Sequence, residues 1–311
     1  MKVIIFGGSG YLGLHLYQNL KDKNYDVHIA TRKKSKVEHI ATEKIHEIDI
    51  RNSQFLEKFL KKFDVVIHLA SPNAKSSSEA VIESLKFHIE YTYQLAKASC
   101  YANIKKFIYL STVHVYGNNL KGTIDEANAI PAPISPYAVG HKFSEDILNA
   151  RNANCDCQFI ILRASNLFGS PVSVNSDCWD LLPNYLSRKI FEKEVVDIKS
   201  KGRDFRDFLP ISIACQKIEE IIRNKTKFCL YNLVSGNMIN IFEMINFINQ
   251  EAKKISGIDI PGIMIPINNH DKSNFKYSNK RLIAEFGGVE FNFSDYLFST
   301  VINNFKLLSA K

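Results

Sequence analysis

Val3-Ile4-Ile5-Phe6-Gly7-Gly8-Ser9-Gly10-Tyr11-Leu12-Gly13 decides how the rest of the chain is read. Four consecutive apolar, β-favouring residues predict a short strand buried on both faces. Glycines follow at once, and Tyr11–Leu20 then continues at helical spacing. A strand that turns on glycine into a helix is a phosphate-binding arrangement. Gly7 permits the tight turn, Gly10 lets the backbone approach a pyrophosphate, and Gly13 lets the helix pack close to the strand. The helix N-terminus favours the negative charge. Spaced glycines alone are a weak signal, but between a strand and a helix they are a strong one. The chain has only 14 glycines in 311 residues, so four within seven positions form a real concentration.

Further strands are predicted at Asp26–Ala30, Val65–Leu69, Lys106–Leu110 and Gln158–Leu162, each apolar enough to be covered on both sides. Helical periodicity fills the intervals at 54–62, 79–101 and 137–153. Alternating β and α segments of this kind predict an α/β fold, a Rossmann-like doubly wound parallel sheet. After residue 165 the alternation becomes irregular and prolines punctuate shorter pieces. Residues 1–165, completed by about 204–232, are expected to form the NAD(P)-binding Rossmann domain. Residues 166–203 and 233–311 are expected to form a smaller, mostly helical substrate domain.

The composition is that of a globular protein, with 45% hydrophobic and 23% charged residues. The formal net charge is +8, but the basic residues are scattered as pairs on helix faces. No nucleic-acid module or aromatic–basic interleaving accompanies them. No apolar run approaches the roughly 18 residues needed to cross a bilayer, so no membrane insertion is expected. The six cysteines show no metal-ligand spacing, so no metal and a reducing cytoplasm are expected.

The second strand ends at Ala30-Thr31-Arg32-Lys33. A site selective for NAD commonly has a carboxylate here to accept bonds from the adenosine ribose. Arg32 and Lys33 suit a 2′-phosphate instead, because guanidinium matches phosphate oxygens. NADP(H) is therefore favoured, with NAD(H) the alternative. Asp49, followed by Ile50 and Arg51, is placed either to meet the adenine amino group or to cap the helix near Gln54.

With these residues in view, the chain resembles the extended short-chain dehydrogenase/reductases, in particular the nucleotide-sugar epimerase/dehydratase group. The resemblance spans nearly the whole sequence. It rests on the glycine turn, Asp49-Ile50-Arg51, His68-Leu69-Ala70-Ser71, Leu110-Ser111-Thr112 with Val115-Tyr116-Gly117, and Ser135-Pro136-Tyr137. Later matches are Leu162-Arg163 with Asn166 and Gly169, Arg206-Asp207-Phe208, and Tyr231-Asn232-Leu233 before Ser235-Gly236. The resemblance implies a catalytic trio of Thr112, Tyr137 and His141, with Tyr137 moving a proton while hydride passes between a sugar carbon and the nicotinamide. It places Gly7, Ser9, Gly10, Tyr11, Leu12, Gly13, Asp49, Ile50, Leu69, Ala70 and Ser71 at the cofactor. Ser111, Asn166 and Arg206 fall at the nucleotide-diphosphate sugar, and a homodimer is implied.

The chain departs from that family at informative positions. The family lysine four residues after the tyrosine is replaced by His141, and Lys142 lies about 140° away around the helix. His88 stands where relatives usually have asparagine. The Asp-Glu pair with which dehydratases eliminate water is Val113-His114 here, which argues against 4,6-dehydration. An imidazole is mostly neutral near pH 7, so Tyr137 lacks a cation that would lower its pKa. A protonated tyrosine suits ketone reduction. Reduction by NADPH is therefore the leading expectation, and the resemblance implies a nucleotide-linked 4-keto-(6-deoxy) sugar for surface-polysaccharide synthesis as its substrate. The alternatives are a nucleotide-sugar 4-epimerase with bound NAD and a non-catalytic NADP-binding regulator.

Overall fold

The computed structural model describes residues 1–32, 40–152, 155–194, 196, 205–257, 274–288 and 290–310. Val3, Ile4, Ile5 and Phe6 are all fully buried, as the uninterrupted apolar run requires of an interior strand. The elements in chain order are β1 (Lys2–Phe6), α1 (Tyr11–Asp22), β2 (Asp26–Thr31), β3 (Ile45–Glu47), α2 (Ser53–Leu60) and β4 (Val65–His68). There follow α3 (Ala74–Glu79), α4 (Val81–Tyr101), β5 (Lys106–Thr112), β6 (Gly122–Ile124), α5 (Pro136–Asn152) and β7 (Gln158–Ala164). Next come β8 (Asn166–Phe168), α6 (Leu182–Phe191), β9 (Phe205–Pro210), α7 (Ile211–Arg223), β10 (Leu230–Leu233) and β11 (Met238–Asn240). The last elements are α8 (Ile241–Ser256), β12 (Phe275–Tyr277), α9 (Lys280–Phe286) and α10 (Phe293–Ser309).

Seven strands form one parallel sheet in the order β10-β7-β5-β4-β1-β2-β3. The side-chain period of two divides each strand between two cores. Val3, Ile5, Ile29, Ile67, Ile108 and Ile160 face α1 and α7. Ile4, Phe6, Val66, Phe107, Tyr109 and Phe159 face α2, α4 and α5. The Rossmann-like architecture expected from the alternation is the one observed.

The amphipathic stripe of α7, Ile211, Ala214, Cys215, Ile218, Ile221 and Ile222, supplies much of the first core. Each fully buried isoleucine there contributes about 1.5–3 kcal/mol. A smaller unit has its own core, in which Leu186 and Ile190 of α6, Met244 and Ile248 of α8, and Leu297 and Val301 of α10 pack on Phe168 and Phe208. Its sheet has the order β11-β9-β8. Of the segment expected to complete the Rossmann unit, α7 and β10 pack with the large sheet, whereas β9 joins the small one.

Two local features were not expected. The helix expected over 79–101 is α4, and a short helix, α3, precedes it: Asn73 caps α3 by accepting from Ser76 N at 2.8 Å, and Ala80 leaves helical geometry at φ −134°, ψ 70° before α4 begins. The sulfurs of Cys100 and Cys155 are bonded in a disulfide, joining the end of α4 to the approach to β7. Sequence spacing did not point to that pair, because the fold rather than the sequence brings these residues together. No helix among the described residues is long and apolar enough to cross a membrane.

Candidate active site

The glycine turn forms a cradle with no room for side chains. Gly7 has φ +81°, and a Cβ there would lie 2.6 Å from Ala70 N and 2.9 Å from the carbonyl carbon of Leu69. A Cβ on Gly13 would meet Gly7 O and Gly8 Cα at 2.6 Å. Gly10 caps α1 without a side chain, and the first helical turn holds no acidic residue. The amides at Tyr11, Leu12 and Gly13 therefore have no intrahelical acceptor and no competing carboxylate. The residues present fit a dinucleotide pyrophosphate. Tyr11 contributes backbone only, since its hydroxyl donates to Gly169 O at 2.7 Å.

At the end of β2 the hydroxyls of Ser9 and Thr31 lie 3.2 Å apart. Arg32 is exposed, and Lys33 lies outside the described residues. Asp49 is gripped by its neighbour: Arg51 Nε donates to Oδ1 at 2.9 Å and Nη2 to Oδ2 at 2.8 Å. Asn52, not Asp49, caps α2 by accepting from Phe55 N at 3.1 Å. Ile50 packs half-buried against the second core.

Thr112 ends β5, and Tyr137 is the second residue of α5. Thr112 Oγ1 accepts from His114 N at 3.2 Å. Burial raises the Tyr137 pKa, and the neighbouring Thr112 hydroxyl only partly opposes it. His141 lies one turn along, 3% exposed, with its ring edge-on to Tyr137 at a centroid separation of 4.6 Å. Its Nδ1 meets Tyr109 Oη at 2.7 Å and its Nε2 meets Ser71 Oγ at 3.2 Å. Burial holds its pKa well below the usual imidazole value, and the neighbouring His88, His68 and His114 act in the same direction. It is a neutral group. Lys142 does not replace the absent cation, because it pairs with Asp146 on the outer face of α5.

Ser111 points inward. Its hydroxyl donates to Glu145 Oε1 at 2.6 Å, and Arg163 holds the same carboxylate through two bonds of 2.9 and 2.7 Å. The Arg163 guanidinium also lies over the Tyr116 ring at 4.6 Å. This buried ion pair anchors α5 to β5 and β7 beneath Tyr137.

On the substrate side, Asn166 Nδ2 donates to Asp207 O at 2.9 Å. Asp207 is 1% exposed and receives bonds from Ser165 Oγ, from Ser235 through both N and Oγ, and from Gly236 N. Its carboxylate is therefore occupied, and Arg206 on the adjacent residue has no ion-pair partner among the described residues. His114, one place past Val113, is exposed with its ring 6.3 Å from that of Tyr137. Partial desolvation by the surrounding residues, then the Arg206 charge, lowers its pKa. Trp179 is committed to packing, since Nε1 donates to Val174 O at 2.8 Å.

The structure thus brings together Thr112, Tyr137, His141 and Ser71 beside the glycine cradle, with His114 and Arg206 across the cleft. It turns Ser111 away. Sequence reading did not identify Tyr109, which holds His141; a tyrosine in a buried strand carries no functional signal by itself.

The sequence profile of the NAD dependent epimerase/dehydratase family matches residues 3–226. A dTDP-D-glucose 4,6-dehydratase of Dictyostelium discoideum is 26% identical over 282 residues, covering 83% of this chain and 62% of that protein's length. A UDP-glucose 4-epimerase of Lactobacillus helveticus is 27% identical over 287 residues, covering 86% of this chain and 85% of its own. A solved UDP-glucuronic acid 4-epimerase of Bacillus cereus, in complex with UDP-glucuronic acid and NAD, superposes with a TM-score of 0.79 at 23% identity. It covers 99% of this chain and 100% of its own. At that identity the likeness establishes the fold.

These comparisons correct two expectations. NADP(H) is set aside, because the similar solved structures that hold a nicotinamide cofactor hold NAD. Basic residues at the end of β2 do not by themselves demand a 2′-phosphate, and Arg32 lies exposed at the rim. NADPH-dependent reduction of a 4-keto sugar is set aside as well, because the relatives are epimerases and dehydratases. The physical error lay in reading hydride direction from one missing charge. The same phenol serves both directions of the transfer, so a neutral His141 bears on rate and pH dependence.

Proposed function

The chain belongs to the NAD dependent epimerase/dehydratase family, and from that premise we propose that it is a nucleotide-sugar 4-epimerase that works with NAD. One observation carries the reading. Thr112 and Tyr137 stand as neighbours near the cofactor cradle, while Val113 and His114 occupy the places where a dehydratase needs a carboxylic acid and a carboxylate. A UDP-linked hexose is the substrate class favoured by the epimerase relatives.

NAD, when bound, would supply a reversible hydride acceptor for carbon 4. Tyr137 takes the proton from the carbon 4 hydroxyl and gives it back, and Thr112 orients that oxygen by its own hydroxyl. His141 lends no charge to this step, so the ionised phenol is scarce near neutral pH. The backbone amides at the start of α1 hold the dinucleotide, and Arg206 supplies charge-assisted bonds to the sugar diphosphate. Ile82, Ile89, Tyr93 and Phe143 are exposed on α4 and α5, which favours a homodimer built on those helices.

The test is to incubate purified protein with UDP-glucose and with UDP-galactose, adding no cofactor, and to follow the sugar by NMR while identifying the nucleotide released on denaturation. Interconversion with NAD released is the expected result. Dehydration to a 4-keto-6-deoxy sugar, or no conversion of any UDP-hexose, overturns the reading.

A further inference from the structure

Behind the catalytic tyrosine lies a buried chain of hydrogen bonds that the chemistry above does not use. It runs from Tyr109 through His141, Ser71, His88, Ser144 and Thr92 to His68. We propose that His88, seated in the space left open by Gly140, is a positioning residue that fixes His141, through Ser71, as a neutral imidazole protonated on Nε2.

The space is specific. A Cβ on Gly140 would lie 2.3 Å from His88 Cδ2 and 2.9 Å from its Nε2, so a residue with any side chain at 140 would displace the ring. The His88 and His141 ring centroids are then 4.7 Å apart.

The proton placement follows from bookkeeping. Ser71 has one hydrogen, which it donates to Pro72 O at 2.8 Å. Its oxygen is therefore an acceptor toward both His141 Nε2 at 3.2 Å and His88 Nε2 at 3.4 Å, and both nitrogens carry hydrogen. With each ring neutral, both Nδ1 atoms are bare. His141 Nδ1 accepts from Tyr109 Oη at 2.7 Å. Ser144 Oγ lies 3.3 Å from both His88 Nδ1 and His88 O, and its one hydrogen goes to either acceptor. Thr92 then donates to Ser144 at 2.9 Å and accepts from His68 Nε2 at 3.2 Å. His68 Nδ1 ends the chain, buried without a partner. A bare lone pair is tolerated there, whereas an orphaned N–H would be rare. The hydrogens on the two Nε2 atoms are set by Ser71, whose own hydrogen goes to Pro72 O.

The role of His88 lies in what Ser71 would do without it. Pro72 O takes the Ser71 hydrogen and His88 fills one of its lone pairs, so Ser71 presents only a lone pair to His141. Without His88 the bond to Pro72 O alone holds the hydroxyl, and a rotation that breaks it turns the hydrogen onto His141 Nε2, which shifts the imidazole proton to Nδ1 and toward Tyr109. The groups facing His141 are His88 from α4, His68 from β4, Tyr109 from β5, Ser71 from the following loop and His114 from the turn after β5. Tyr137 and Glu145 face it from its own helix, and Glu145 is neutralised by Arg163. No uncompensated carboxylate among these is placed to draw a second proton onto the ring.

The experiment is nitrogen NMR of histidine-labelled protein, with His141 assigned by its absence in His141→Gln. The expected wild-type spectrum shows His141 as the Nε2–H form, unchanged between about pH 6 and 8. His88→Ala should give a mixture of His141 tautomers, and Gly140→Ala should do the same by displacing the ring. His88→Gln, whose amide can still donate to Ser71, should restore the wild-type signal. In the kinetic arm, kcat of His88→Ala should fall about tenfold with KM for the sugar within about twofold, and His88→Gln should recover most of it. That arm rests on the epimerase reading and the spectra do not. Expected tautomers without epimerisation would sink that reading alone. His141 found as Nδ1–H or protonated in the wild type, or unmoved in both His88→Ala and Gly140→Ala, overturns the proposal. The wild-type spectrum decides even if a variant fails to fold.

Discussion

Replacing His141 by lysine tests the link between charge and rate at Tyr137. The rings of residues 137 and 141 are 4.6 Å apart, so a protonated ammonium at 141 would stand about 5 Å from the phenol oxygen. At an effective dielectric near 20, a unit charge at that distance stabilises the phenolate by about 3 kcal/mol. That corresponds to a pKa about 2 units lower. Burial raises the Tyr137 pKa in the native protein, so the rate of sugar oxidation should climb with pH through the neutral range. His141→Lys should move that limb about 2 units toward acid. At a fixed pH below the limb the rate should rise about a hundredfold, with the plateau unchanged. The hydroxyls of Ser71 and Tyr109, which now contact His141, are available to receive the ammonium. The assay is kcat for UDP-hexose epimerisation from pH 6 to 10, with bound nucleotide and melting temperature checked for each variant. A folded, NAD-bearing His141→Lys protein whose limb stays in place would refute the electrostatic argument.

Tyr137→Phe should lower kcat by about 10²–10⁴-fold while the released nucleotide is unchanged; a smaller loss would remove Tyr137 from the chemistry. Arg163→Ala should cost about 3–5 kcal/mol, because Glu145 would be left buried without compensation. The double variant Glu145→Gln, Arg163→Met should lose less, and urea denaturation separates the two cases. Gly13→Ala should destabilise by about 1–3 kcal/mol and abolish NAD retention, which equilibrium dialysis would measure. Stability itself should fall with acid. Burial lowers the pKa of His88 to about 4 and of His68 to about 3, so below pH 6.5 the unfolded chain binds protons that the native chain refuses. Denaturation at pH 5 should show a loss of about 2 kcal/mol for each of these histidines relative to pH 7, and a flat profile would place charge on them in the folded state.

The large sheet was legible because its signals are local. Val3–Phe6 ahead of Gly7 states both the strand and the turn, and residues 65–68, 106–110 and 158–162 repeat the same doubly buried pattern. The site was legible as a set of residue types, and less so as directions. Ser111 and Thr112 are neighbours with similar side chains. Strand alternation sends one hydroxyl to Glu145, 34 positions on, and the other to Tyr137. Asp49 read as a free carboxylate because nothing in its spacing declares that Arg51 folds back onto it. Cofactor choice was misjudged for a related reason: Arg32 and Lys33 report charge, and charge without placement does not identify a phosphate. The role of Gly140 was invisible, since its neighbour His88 lies 52 positions away and meets it only through the packing of α4 on α5.

Asp207 has a mechanical meaning beyond its burial. The chain passes from the large sheet to the small one twice, at Ser165 after β7 and at Ser235-Gly236 after β10. Both passages terminate on the two oxygens of this one carboxylate. They are tied to one another through it, so a relative movement of the two sheets would be constrained to turn about this carboxylate as a common pin. Arg206, the next residue along β9, rides on that pin. Any relative turn of the two sheets about this carboxylate would therefore move Arg206 with β9 rather than independently of it.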